Sequence, residues 1–254
     1  MKVLPLAVLF LLLTVQHVVA DEARVLKPIQ YQSLGNDVWM YTAYMDITGY
    51  DNYPTNGVIV LGNESAMIVD LPVSDIYTRY VFDWIEKQGR EVRYVVPQHF
   101  HIDSAGGLKY AQKRGAQVLM LDKTQAMQFS ELEVKPDIVF ADELRLRVDQ
   151  HDLWLAHLGG GHSADSVVAW LPQQKILVGG CLVKSGQSKT LGNTVDAVMD
   201  AYANTLRRIQ NRFPDIQTVT PGHGAPAENL LQHTLGLVQL HQEKQNQPID
   251  MSTD

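Results

Sequence analysis

The sequence predicts an α/β protein in which short apolar strands form sheets covered by amphipathic helices. Three observations carry this expectation. Short aliphatic runs, such as Val58, Ile59 and Val60 or Met67, Ile68 and Val69, are set off by Gly, Asn and Pro, as buried strands are. Tyr77, Tyr80, Val81, Trp84 and Ile85 fall at i, i+3, i+4, i+7 and i+8, the period of a helix with one apolar face. Strand-like and helix-like segments alternate in both halves of the chain, which favours a parallel or mixed sheet.

The first residues stand apart from this pattern. Lys2 precedes an apolar run over residues 3–15, and Val18 and Ala20 are small residues placed for cleavage before Asp21. Residues 1–20 are therefore expected to be a secretory signal peptide, which directs the protein to the periplasm. The run is shorter than the ~20 residues of a membrane span. Residues 21–254, 234 in all, suit a single α/β domain or two closely packed halves. Loss of Lys2 takes the formal charge from −7 to −8, which argues against nucleic acid or an anionic membrane as partner. The sole cysteine, Cys181, has no partner for an internal disulfide. In an exported chain that leaves a reactive thiol, an intermolecular bond or a metal ligand, against the alternative of a buried inert thiol.

Residues 34–44 and 56–71 read as strands of a meander turning at Gly62-Asn63. The polar, Gly- and Tyr-containing stretch 45–56 between them reads as a long hairpin tip, and such loops often cover sites. Residues 74–88 form the helix described above, with Ser74 as N-cap and Gly89 as stop. A strand over 92–97 leads into His99–Gly107, HFHIDSAGG. Its His99, His101 and Asp103 alternate so that an extended loop would point all three the same way, and Gly106-Gly107 permits a tight turn. A helix over 104–114 and a strand over 118–121 follow. Residues 138–158 read as further strands, 159–165 (GGGHSAD) as a tight loop holding His162, and 166–170 with 175–178 as a hairpin. Residues 196–213 are expected to be helical, with Val198, Tyr202, Leu206 and Ile209 on one face. A strand over 218–221, His223 between two glycines, a helix over 228–244 and a loose tail complete the chain.

Four loops, each beyond the end of an expected strand, thus carry metal-capable side chains: His99, His101 and Asp103; His162; Cys181; His223. In sheets flanked by helices, sites collect at strand ends. Four imidazoles, a carboxylate and a thiol suffice for two zinc ions. His151, His157, His233 and His241 lack this setting and read as surface or satisfied core residues.

These segments together resemble the class B β-lactamases of subclass 1, within the metallo-β-lactamase superfamily. HFHIDSAGG is similar to the family's H-x-H-x-D segment and GGGHSADSVVAW to its third-histidine loop. GGCLVKS, LGN at 191–193 and PGHG are similar to its cysteine, asparagine and last-ligand loops. Val195 departs from the glycine the family often has there. The resemblance implies a four-layer αβ/βα sandwich and two zinc ions per chain, one on His99, His101 and His162, the other on Asp103, Cys181 and His223. It implies hydrolysis of the β-lactam amide in penicillins, cephalosporins or carbapenems, and hence antibiotic resistance. Asp103 and Asn193 are then catalytic, Asn193 and Lys184 bind substrate, and the chain is expected to act as a monomer on a small molecule. Asp70 and Asp196 become candidates to orient the histidines, Ser104 and Ser163 weaker ones. Ile47, Tyr50 or Tyr53 of the hairpin become candidates to touch substrate.

Two alternatives stay open. One is another di-zinc hydrolase of this fold, such as a glyoxalase II-like thioester hydrolase. Those usually have a histidine where Ser104 stands and a bridging aspartate where Cys181 stands, and export also speaks against this reading. The other is a non-catalytic periplasmic zinc-binding protein, which has no use for Lys184, Asn193 or a flap.

Overall fold

In the computed structural model, which describes residues 26–47, 50–130 and 133–246, the chain opens as an antiparallel meander of β1 (Gln30–Gly35), β2 (Val38–Ile47), β3 (Tyr50–Leu61) and β4 (Ser65–Val69). Helix α1 (Asp75–Lys87) then crosses back to β5 (Glu91–Val96), which lies parallel to β4. Beyond β5 come two short helices, α2 (Ile102–Ala105) and α3 (Leu108–Lys113), then β6 (Gln117–Leu121), α4 (Asp122–Met127) and β7 (Ile138–Phe140). β5, β6 and β7 continue in parallel, closing a seven-stranded sheet in sequence order. The remaining strands are β8 (Glu143–Val148), β9 (His151–Ala156), β10 (Val168–Leu171), β11 (Ile176–Gly180) and β12 (Thr218–Pro221). They form a second sheet in the order β12-β11-β10-β9-β8. Helices α5 (Met199–Arg212) and α6 (Leu230–Asn246) pack on it.

Side-chain alternation sorts the layers. Along β3 and β4, Ile59, Leu61, Ala66 and Ile68 point to one core and Val58, Val60, Met67 and Val69 to another. Successive strand residues face opposite sides, so strands apolar at every position must be covered on both. The first core is closed by Tyr77, Val81, Phe82 and Ile85 of α1 and Leu108 of α3. The second lies between the sheets, against Val148, Leu153, Leu155, Ala169 and Val178. A third lies beyond the second sheet, where Trp170, Leu177 and Val219 meet Tyr202, Leu206 and Ile209 of α5 and Leu231 and Val238 of α6. Helix, sheet, sheet, helix is the four-layer αβ/βα sandwich.

Several local expectations need correction. Residues 45–56 are not a long loop. Strand pairing runs out to Met45↔Tyr53 and, past a register shift, to Ile47↔Tyr50, because Tyr, Thr and Ile suit strands as well as loops. The expected helix over 104–114 is two helices, broken at Gly106-Gly107, and neither glycine there adopts the left-handed conformation. The glycine is needed for space: a Cβ on Gly107 would collide with Thr78 Oγ1 of α1. The buried face of α1 is Tyr77, Thr78, Val81, Phe82 and Ile85, while Tyr80 is exposed. Trp84 is only partly buried and stacks on Tyr31 of β1 with ring centroids 4.5 Å apart. Ser74 precedes α1 but makes no side-chain cap; its carbonyl accepts from the Thr78 hydroxyl at 2.8 Å. Helix α5 begins at Met199, leaving Asp196 in the preceding loop. The expected signal peptide and most of the expected tail lie outside the described residues.

The α1–α3 contact makes a direct test of the space argument. Gly107→Ala should destabilise the fold by about 1–3 kcal/mol through overpacking. Adding Thr78→Ala should recover part of that loss, because it removes the colliding hydroxyl. Urea unfolding of both single variants and the double gives the coupling.

Candidate metal centre

All six expected ligands converge at one end of the sandwich, where β5, β9, β11 and β12 release their loops. The route from β5 is fixed first. Gln98 N donates to Asp70 Oδ1 and to Ser104 Oγ, each at 2.8 Å, and the Ser104 hydroxyl donates to the same Asp70 oxygen. Gln98 also ties the two sheets together, with Nε2 donating to Val167 O at 2.9 Å and to Val178 O at 2.8 Å. Asp70 itself sits at φ +59, and its carbonyl accepts from the buried Tyr41 hydroxyl at 2.7 Å. Backbone in that region is unfavourable for a non-glycine residue, so the surrounding bonds hold it there.

The chain reaches Asp103 by a different route from the one expected. His101 is the last extended residue, and Asp103 lies in the first turn of α2. The bend at 98–101 and the first turn of α2 bring Asp103 back towards His99, with Asp103 Oδ1 3.4 Å from His99 Nε2. The rings of His99, His101 and His162 stand 4.8, 5.0 and 5.1 Å apart, centre to centre. His101 Nδ1 lies 3.2 Å from His162 Nε2, while its other nitrogen meets Asp196 Oδ2 at 2.9 Å. Asp196 thus orients His101, as the sequence suggested. Asp70 acts on the backbone below His99, and Ser163 bonds only within its own loop.

Asp103, Cys181 and His223 form a tighter triangle. Cys181 Sγ lies 3.2 Å from Asp103 Oδ2 and 3.4 Å from His223 Nε2, and His223 Nε2 lies 3.3 Å from Asp103 Oδ2. Such an approach requires Gly222, since a Cβ there would overlap Cys181 Sγ. Cys181 is buried. His223 Nδ1 donates to Pro54 O at 2.7 Å, and its ring leans on Tyr53, centroids 4.9 Å apart.

These separations fit a metal. Two nitrogens about 2.0 Å from a tetrahedral zinc stand about 3.3 Å apart, and a sulfur at about 2.3 Å stands about 3.6 Å from such a nitrogen. His99 Nε2 is buried without a hydrogen-bond partner, the condition of a donor atom aimed at an ion. Burial pushes His162 down to about 2, so its imidazole is neutral and has a lone pair to give. Burial pushes the Cys181 thiol up to about 11, so a metal bound there must displace a proton. Asp103 is held well below the usual carboxylate range: burial opposes this, but the neighbouring imidazoles of His223 and His99 outweigh it.

Above the triangle opens a cavity of about 660 Å³, lined among others by Met45, Tyr53, Ile102, Phe129, Lys184 and Asn193. Lys184 Nζ donates to Cys181 O at 3.0 Å, and burial lowers its pKa. Asn193 is exposed, its Oδ1 accepting from Val195 N at 3.0 Å. Val195 is 87% exposed. Of the hairpin candidates Tyr53 lines the cavity; the side chains of Ile47 and Tyr50 lie outside the description. Met45 opens the stretch expected to cover the site, while Ile102 and Phe129 carried no sequence signal beyond being apolar. A larger cavity of about 760 Å³ lies between residues 26–29 and the outer face of α1, remote from this cluster. His151, His157 and His233 bond to backbone carbonyls, and His241 is near Gln245, as satisfied non-ligands do.

Comparison with known proteins agrees with this arrangement. Residues 50–225 match the sequence profile of the metallo-beta-lactamase superfamily. The metallo-beta-lactamase type 2 of Bacteroides fragilis is 33% identical over 222 residues, spanning 87% of this chain and 89% of that one. The type 2 enzyme of Bacillus cereus is 31% identical over 228 residues, 89% and 88% of the two chains. Among solved structures, a metallo-beta-lactamase from Pontibacter korlensis superposes with a TM-score of 0.79 at 36% identity, covering 84% of this chain and 99% of that one. The DIM-1 metallo-beta-lactamase exposed to ceftazidime gives 0.80 at 29% identity, covering 85% and 99%.

The support under His99 has a pH signature. Burial pushes the Asp70 carboxyl up to about 6, against the lowering influence of His99, Ser104 and Gln98. Its unfolded value is about 3.9. Between these values the unfolded chain binds fewer protons than the folded one, so stability falls as pH rises from about 4 to about 6. In the presence of chelator, Asp70 should contribute a loss of about 3 kcal/mol across that window. Asp70→Asn should lack that slope. Urea unfolding of both proteins at a series of pH values measures it.

Proposed function

Since the chain belongs to the metallo-β-lactamase superfamily, we propose that it hydrolyses the amide bond of β-lactam antibiotics with two zinc ions, and so confers resistance to them. The observation that carries this reading is the Asp103–Cys181–His223 triangle beside three converging imidazoles. His99, His101 and His162 would hold one zinc, and Asp103, Cys181 and His223 the other. Bound zinc supplies a Lewis acid and a water whose pKa falls to about 7.

The chain's own residues do the rest. Asp103 reaches both sets, with Oδ1 towards His99 and Oδ2 towards Cys181 and His223. Its charge and that of the Cys181 thiolate would offset the charge of the zinc held with His223. Lys184 sits at the cavity wall with its ammonium on the Cys181 carbonyl, within reach of the carboxylate that most β-lactams carry beside the lactam nitrogen. Asn193 lies on the cavity lip, where its Nδ2 can donate to the lactam carbonyl oxygen as negative charge develops there. Met45, Tyr53, Ile102 and Phe129 give apolar walls for the substrate's side chains. Ser104 is committed to Asp70 and Gln98, which leaves the glyoxalase-like alternative without an observation in its favour.

All six ligands come from one chain, which suits a monomer. No helix among the described residues is long and apolar enough to cross a membrane. We also propose export to the periplasm, on the strength of the amino-terminal charge, apolar run and cleavage pattern.

Purified protein should hydrolyse at least one of a penicillin, a cephalosporin and a carbapenem, and lose that activity in chelator. Zinc-bound protein inert towards the whole panel would overturn the β-lactamase reading in favour of the two alternatives.

Lys184 separates a β-lactamase from a generic zinc hydrolase. A charged hydrogen bond is worth about 1.5–3 kcal/mol, so Lys184→Ala should lower kcat/KM by roughly ten- to a hundredfold, mainly through KM. Zinc content should stay the same, since an ammonium does not ligate metal. Steady-state kinetics on a penicillin and a carbapenem, with zinc analysis, check both parts.

A further inference from the structure

The hairpin that lines the cavity and the loop that carries His223 are joined through one buried side chain, Asn56 of β3. Asn56 is 6% exposed. Its Oδ1 accepts from Thr42 Oγ1 on β2 at 2.8 Å, which fixes the amide's orientation. Both Nδ2 hydrogens then go to the His223 loop, one to Pro221 O at 2.9 Å and one to Gly224 O at 2.8 Å. The backbone N of the same residue donates to Gly222 O at 2.8 Å. One residue therefore satisfies carbonyls on both sides of His223. Two positions earlier on the strand, Pro54 O accepts from His223 Nδ1, and one before that Tyr53 packs on the imidazole ring.

We propose that Asn56 is a positioning residue for His223, which holds the second metal ligand set in register with the substrate-facing hairpin. This rests on the reading that Asp103, Cys181 and His223 bind a zinc ion. The geometry is specific to an amide. The loop offers two carbonyls and needs two donors, while Thr42 offers a hydroxyl and needs an acceptor; only the amide of Asn or Gln offers both, and Gln is one methylene longer. Aspartate keeps the acceptor but places a carboxylate against two carbonyl oxygens. Serine keeps at most one donor. With the loop untied, His223 can rotate away from Pro54 O, and its Nε2 leaves the position 3.3 Å from Asp103 and 3.4 Å from Cys181. Partners that orient a metal ligand through its other nitrogen are typically worth 10–100-fold in metal affinity or activity.

A structural role alone would lower stability and leave both ions equally well bound, so the test reads the two ions separately. Full-length mature protein loaded with zinc is titrated with a chromophoric chelator, alongside Asn56→Asp, Asn56→Ser and Thr42→Val. Asp149→Ala serves as a control, because Asp149 secures the distant turn at Glu64 and Ser65 and should affect stability alone. Asn56→Asp should lose its more weakly held zinc 10–100-fold more readily than wild type and retain the other unchanged. Asn56→Ser should fall between the two, and Thr42→Val should show a smaller loss in the same direction. The cobalt-substituted protein should lose intensity in its thiolate-to-cobalt absorption band in Asn56→Asp and not in Asp149→Ala. If Asn56→Asp and Asn56→Ser hold both ions as tightly as wild type while melting lower, as Asp149→Ala does, Asn56 is structural and the proposal is overturned. Wild-type protein that binds fewer than two zinc ions overturns the two-zinc reading itself, and this proposal with it.

Discussion

The approach of Asp103, Cys181 and His223 to within 3.2–3.4 Å of one another is the constraint that the surrounding structure serves. Polar and ionisable groups this close, in a nearly buried site, are unfavourable unless charge and hydrogen-bonding capacity are matched. The chain by itself matches them only in part. Burial keeps the thiol protonated up to about pH 11, and His99 keeps a buried nitrogen that closes no hydrogen bond. Divalent cations held by the two ligand sets would resolve both conditions. The cluster is therefore better matched to an ion than to itself, which is the physical content of calling it a metal centre.

Convergence of this kind needs rigid delivery from distant parts of the chain. The ligands come from four strand ends in two different sheets, and the sheets are bound to each other under the site as well as through their apolar interior. Gln98 does this with two side-chain bonds to Val167 and Val178 and a backbone carbonyl that accepts from Val167 N. Asp70, held at positive φ by the Tyr41 hydroxyl and the Gln98 and Ser104 donors, fixes the point at which the β5 strand gives way to the ligand loop. Gly222 lets the last loop pass against Cys181. None of these residues hydrogen-bonds to a ligand's donor atom, yet each decides where one can be.

Much of this was legible in the sequence, and the parts that were not share a cause. Apolar runs such as Val58–Val60 and Met67–Val69 identified strands because residues buried on both faces carry no helical period. Each metal-capable residue stood beyond such a run, often beside glycine, and the structure brings all six together. The argument that placed Asp103 was nevertheless wrong in its geometry: an extended alternation was assumed, but the chain bends at 98–101 and Asp103 reaches His99 from the first turn of α2. The hairpin at 45–56 was mistaken for a loop because its Gly, Asp and Asn outweighed a Tyr-rich strand pattern that pairs nearly to the tip. Tyr80 fits the helical period of α1 and is exposed, because the first sheet lies under the neighbouring stripe of Thr78 and Phe82. In each case the deciding interaction is with a residue far along the chain, which no local pattern contains.

That dependence has a consequence for how the site works. Lys184 rests its ammonium on the carbonyl of Cys181, a ligand three positions earlier, and the hairpin residues Tyr53 and Pro54 contact the ligand His223 directly. On the proposed reading, the groups that meet substrate and the groups that hold metal lie on the same short pieces of backbone. A carboxylate arriving at Lys184 would share the ammonium with the Cys181 carbonyl, and a side chain pressing on Tyr53 would press on the imidazole behind it. Substrate affinity and the geometry of the second ligand set would then be coupled through the hairpin. Changes that alter specificity through the hairpin should act partly by shifting His223, while Ile102 and Phe129, which line the cavity without bonding to a ligand residue's polar atoms, leave room for specificity to change without disturbing the metal centre.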